Sequence, residues 1–248
     1  GIVRTPDGDV YVENEYRILQ TDRSLTGVVS YPFSRALRVE AQGGFRQIGL
    51  KQDVRSRIYS LQTGQLIDQI DEDLGSFEDL NLGQASGALV YDTSIFGATS
   101  PIRGTRYRLE FSQAAGTLTY SGVLGDFRTY LMPVRPVTFA FRGLYYGRYG
   151  SDAESDRLPT LYLGYSGLVR GYDPGSFEAG ECGIQNDGSC PAFDRLIGSK
   201  LAIGNVEMRV PLWSLFGGSN FYGPLPVELA LFGDAGVAWG RGSSPGFT

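Results

Sequence analysis

The chain has 248 residues and a formal charge of −5 with no basic cluster, which argues against nucleic acid as a partner. No run of about 18 apolar residues occurs, so a membrane-spanning helix is excluded. Glycine (35), tyrosine (15) and phenylalanine (14) are abundant and mean hydropathy is −0.14. That balance suits strands that are apolar on one face only, with aromatics at interfaces, and suits a soluble all-β protein almost as well.

Apolar and polar residues alternate with period two from near the N-terminus onward. Strands are predicted at 9–20 and 24–33, then from Leu37 to Arg46, where Leu37, Val39, Ala41 and Phe45 oppose Arg38, Glu40, Gln42 and Arg46. A strand at 49–61 precedes a polar stretch, 62–84, whose Asp71-Glu72-Asp73 run reads as the solvated face of a long loop. Strands resume at 85–96 and at Arg106–Gln113, where Tyr107, Leu109 and Phe111 oppose Arg106, Arg108, Glu110 and Ser112. Tight links at 114–116 and 132–136 flank a strand at 117–131, and another follows at 135–149. A polar loop at 150–158, a strand at 158–166 and a long loop at 167–198 lead to the last two strands, 199–210 and 227–239.

These make about eleven strands, several of about ten residues, the length that crosses a bilayer at a tilt; strands of soluble domains are nearer five or six. Short links alternating with long polar ones follow the pattern of an outer-membrane barrel. No linker divides the chain. The expectation is one all-β domain over 1–248, a transmembrane antiparallel β-barrel.

Cys182 and Cys190, eight positions apart, share one polar loop, and with no histidine in the chain a zinc site lacks its usual ligands. A local disulfide in an oxidising compartment is the expectation, with a pair of free thiols as the alternative. There is no Gly-x-Ser-x-Gly elbow and no phosphate-cradling loop, and nothing near Asp71, Glu72 or Asp73 would raise a carboxyl pKa. Paired carboxylates acting on a glycoside are left open by the residues; otherwise no enzymatic activity, cofactor or metal is expected.

Three charged residues stand among apolar strand residues. Arg170 lies in Val169-Arg170-Gly171-Tyr172, Glu207 in Asn205-Val206-Glu207, and Asp234 in Phe232-Gly233-Asp234-Ala235-Gly236. A guanidinium is suited to an interior clasp because its planar fork binds two acceptors and keeps its proton. Gly171 lets the backbone turn behind it, and Tyr172 adds an aromatic anchor. By parity, Glu207 shares a face with Asn205 and Arg209 opposite Val206, Met208 and Val210, and Asp234 shares one with Glu228 opposite Leu231 and Val237. Both carboxylates would then face a lumen if the apolar faces meet lipid. The alternative is a plain Arg-Gly-Tyr turn with each carboxylate paired locally.

These segments resemble the bacterial surface antigen barrels, the family of BamA, TamA and the two-partner secretion transporters. In that family a Val-Arg-Gly-aromatic motif in the sixth extracellular loop folds back into the lumen and meets a glutamate of the twelfth strand and an aspartate of the thirteenth. Val169–Tyr172, Asn205–Leu212 with Glu207, and Leu231–Trp239 with Asp234 match these in order. Pro101-Ile102-Arg103-Gly104-Thr105-Arg106-Tyr107 is similar to the approach to the eighth strand, and Leu163-Gly164-Tyr165 fits the run into the loop. The likeness covers about residues 85–240.

The resemblance implies a sixteen-strand barrel in a bacterial outer membrane, of which this sequence holds about eleven strands, incomplete at both ends and without periplasmic domains. It implies a lumen-folding loop at 167–198. It also implies a role in inserting or translocating other proteins, with outer-membrane lipids, unfolded or secreted clients, and periplasmic domains or accessory subunits as partners. Two other readings stay open: a barrel anchoring or exporting an attached N-terminal enzyme or propeller, and a soluble β-rich binding protein.

Overall fold

The structure, a computed structural model, describes residues 1–5, 8–171, 191–216 and 226–242. The described residues form β1 (Ile2–Thr5), β2 (Gly8–Pro32), β3 (Leu37–Ser60), β4 (Leu66–Ser76), β5 (Leu80–Asp92), β6 (Ile95–Phe96), β7 (Pro101–Gly116), β8 (Tyr120–Val134) and β9 (Val137–Tyr149). They continue with β10 (Leu161–Tyr162), β11 (Ile197–Gly198), β12 (Lys200–Pro211) and β13 (Glu228–Trp239). The helices are a four-residue turn at Pro191–Asp194 and a five-residue 3-10 turn at Leu212–Phe216, and no helix of the described residues is long and apolar enough to cross a membrane. An eleven-stranded sheet runs β1-β2-β3-β5-β7-β8-β9-β12-β13, with β4 on β3 and β6 on β7, while β10 and β11 pair separately.

Several expectations change. The segments 9–20 and 24–33 are one continuous strand, β2, and 37–46 and 49–61 are one strand, β3, so no turn separates either pair. The stretch 62–84 is not a loop throughout: it carries β4 and the start of β5. Its acidic run is held on the ladder by charge pairing. Arg55 lies directly opposite Asp71 and donates to it at 2.8 Å, and Lys51 reaches Asp73 at 2.7 Å. Opposite charges across a strand pair favour the ladder that polarity alone argues against. Conversely, 158–166 keeps only the two residues of β10. Pro159 has no N–H to donate to a ladder, and its carbonyl instead accepts a 2.6 Å bond from buried Arg148.

Contacts group the chain into two compact units, Gly1–Thr26 with Gly44–Gly83 and Gly116–Leu118, and Gly27–Gly43 with Gln84–Ala115 and Thr119–Thr248. In the first, a charged network joins Arg17 to Asp53 and Asp71, and Arg46 to Asp22. In the second, β7, β8, β9, β12 and β13 pair antiparallel, each at least twelve residues long.

Alternation gives these five strands two distinct faces. One presents Leu109, Phe127, Val206 and Leu231, all roughly half or more exposed, as a face fitted to lipid hydrocarbon. The other carries the charges and the loop after β9. At one end of that second face, Leu144, Leu201, Ile203 and Ala238 bury against Tyr162, Leu163, Val169 and Leu196 of the loop. This apolar seat fixes where the charged loop tip falls.

Candidate functional site

The loop tip is shaped by a short turn in which the N–H groups of Leu168 and Val169 both donate to the Tyr165 carbonyl, at 2.8 and 3.1 Å. Val169 then buries in the apolar seat, and Gly171 has φ +95°, a conformation that residues with a Cβ adopt rarely. Arg170 follows directly on the buried Val169 and projects over β12 and β13.

The structure brings Arg170, Glu207 and Asp234 together. Arg170 grips Asp234 with a two-pronged fork, Nε to Oδ2 at 2.7 Å and Nη2 to Oδ1 at 2.6 Å, and its Nη1 donates to Oε1 of Glu207. Its backbone N–H adds a third bond to Asp234, at 3.0 Å. The Asp234 side chain is 3% exposed and that of Arg170 29%, so the carboxylate is almost wholly desolvated while the guanidinium keeps some water. A carboxylate so buried depends on the bonds it accepts.

Three further residues complete the clasp. Asn205, directly opposite Asp234, donates through Nδ2 to Asp234 Oδ1 at 2.8 Å and to the Leu168 carbonyl at 2.9 Å, tying strand, carboxylate and loop with one amide. Arg209 grips the other oxygen of Glu207. Phe232 places its ring 3.8 Å from the Arg170 guanidinium carbon. Phe232 shares parity with Asp234 and so lies on the charged face, a placement that counting residues from Asp234 would have found. Replacing Phe232 with Leu is expected to cost about 0.5–2 kcal/mol of unfolding free energy through loss of the cation–π contact. The check is a urea midpoint in detergent; no change would show that the ring only fills space.

Next to the clasp, the polar face holds a row that local sequence does not reveal. Arg106, Arg128 and Arg142 lie directly opposite one another on β7, β8 and β9, and the row continues through Asn205 to Asp234. Like charges facing across strands repel, and Asp126 relieves this by accepting from Arg128 at 2.6 and 3.0 Å and from Arg142 at 3.3 and 3.4 Å. Arg142 also donates to the Gly167 carbonyl at 2.9 Å, a second tie on the loop. Of the remaining motif residues, Val169 and Gly171 sit as described, whereas Tyr172, Cys182 and Cys190 lie outside the described residues.

The geometry is that of a loop pinned to two adjacent strands by one shared arginine. A family model, the Omp85 superfamily domain, matches residues 7–247. The chain belongs to the Omp85 superfamily. Comparison with curated proteins finds no match. The superfamily is one of outer-membrane barrels for protein insertion or translocation, whose members act with client proteins and accessory subunits. Membership puts this Omp85 chain in the outer membrane, and its long strands with one apolar face accord with that setting.

Proposed function

We propose that this Omp85 chain is the barrel of a BamA/TamA-type assembly factor, which helps other proteins into or across the outer membrane without covalent chemistry. In this reading residues 1–248 form one barrel domain, the charged face lines its lumen, and the loop at 167–198 folds inward. Clients would be unfolded or secreted chains. An incoming strand would pair with a weakened seam by strand addition, where main-chain hydrogen bonds supply affinity whatever the side chains. The clasp would keep the wall and the inward loop in shape while the seam opens.

The observation that carries this reading is the four-bond seating of Arg170 on Asp234 and Glu207. A wall that must open at one place benefits from cross-ties elsewhere, because its backbone groups find no partners in lipid once strand pairing is lost. The test is reconstitution in liposomes with an unfolded outer-membrane β-barrel as client, scored by protease protection. Faster client insertion with the protein than with empty liposomes is expected, and Arg170→Ala is expected to remove most of the acceleration. A folded, heat-modifiable protein that gives no acceleration would overturn the reading.

A further inference from the structure

Beside the clasp lies a recess of about 190 Å³, lined on its polar side by Arg128, Arg142, Arg170 and Arg209 with Glu207 and Asn205. The charges around it do not balance. Four guanidiniums meet three carboxylates: Asp126 serves Arg128 and Arg142, Glu207 serves Arg170 and Arg209, and Asp234 serves Arg170. Arg106, the next arginine in the row, is matched separately by Asp92 at 3.8 Å. Within this cluster of described residues one positive charge is therefore in excess, on guanidiniums that are only partly exposed.

The excess has an address. Arg209 borders the recess, and its buried Nη1 has no hydrogen-bond partner among the described residues, although the rest of that guanidinium is held by Glu207. The guanidiniums of Arg128 and Arg142, fixed from one side by Asp126, lie on the same recess. Arginine forks fixed from behind and bordering one space make a receptor for a group with several acceptor oxygens and negative charge.

We propose that this recess binds one small oxyanion, a phosphate or a carboxylate, which neutralises the excess charge and bridges Arg209 to the Arg128–Arg142 pair. The anion would be the fourth negative group of the cluster, after Asp126, Glu207 and Asp234. It rests on the charge cluster alone and does not depend on the client-insertion reading, so the liposome assay and the binding measurement can fail separately.

The experiment is calorimetric titration of the full chain in detergent, with phosphate and separately with acetate, at fixed ionic strength in chloride. A saturable single site for at least one of the two is expected, and the one that saturates assigns the anion class. Arg209→Lys keeps the charge but loses the fork and should weaken binding by roughly tenfold. Ala140→Leu alters no charge but adds bulk to the recess wall and should abolish binding. Heat-modifiability on a gel reports whether each variant is folded, and if one is not, the other decides. Absence of saturable binding for both anions, or wild-type affinity in a folded variant, overturns the proposal.

Discussion

Replacing Asp234 with Asn is expected to lower the unfolding free energy by about 3 kcal/mol, the lower end of the range for breaking a buried ion pair. The lower end applies because Arg170 is 29% exposed and can recover part of its hydration. The loss is still large because four donated hydrogen bonds converge on this one side chain: the Nε, Nη2 and backbone N–H of Arg170, and the amide of Asn205. An asparagine has one acceptor oxygen, and its NH₂ would face donors. Glu207 would be the one carboxylate left on the guanidinium among the described residues. The check is a denaturant midpoint in detergent for Asp234→Asn beside Glu207→Gln, which weakens one bond to Arg170 and the pairing with Arg209 but leaves the two-pronged fork on Asp234 in place, and should cost less. Equal midpoints for wild type and Asp234→Asn would show that the clasp carries no stability.

Gly236→Val is expected to dislodge the loop without touching a charge. A Cβ at this position would stand 3.0 Å from a methyl of Val169 and 3.2 Å from one of Leu163, the two side chains that seat the loop tip. Alanine asks those methyls to give by a few tenths of an ångström, whereas valine adds two more carbons in the same space. Overpacking of this kind costs about 1–3 kcal/mol, and here the strain falls on the segment that aims Arg170. The sensitive readout is hydrogen exchange at the Arg170 backbone amide, now bonded to Asp234 at 3.0 Å. Protection should fall steeply in Gly236→Val and modestly in Gly236→Ala. Unchanged protection in the valine variant would mean that the loop is held by its charges alone.

The parts of the site legible in the sequence were those that break a local pattern. Glu207 and Asp234 stand out as carboxylates within apolar alternation, and Arg170 as a lone guanidinium beside a glycine. Asn205 and Phe232 carry no such mark, because an amide and an aromatic are ordinary strand residues; only strand parity sets them beside the clasp. The arginine row across β7, β8 and β9 was not readable, since register between strands is fixed by long-range pairing and not by neighbours in sequence. In the fold, β4 was hidden for a different reason: an acidic run resembles a loop until Lys51 and Arg55 are known to lie beside it. At 158–166 the alternation was real, yet only Leu161 and Tyr162 pair, with β11 and not with the large sheet, and Tyr162 and Leu163 bury their side chains in the apolar seat.

The pairing of β12 with β13 acquires a further meaning from the clasp. Asn205 faces Asp234 and Glu207 faces Phe232, so the partners of Arg170 occupy adjacent rows on one face. A slip of one residue would turn the whole face of one strand to the other side of the sheet, and a slip of two would carry Glu207 away from Phe232. Backbone hydrogen bonds tolerate either error, because they are blind to side-chain identity. Arg170 is not: only one alignment of the two strands offers it a fork, a second carboxylate and a ring together. The clasp is thus a reader of register, satisfied by the correctly threaded wall and not by its near neighbours.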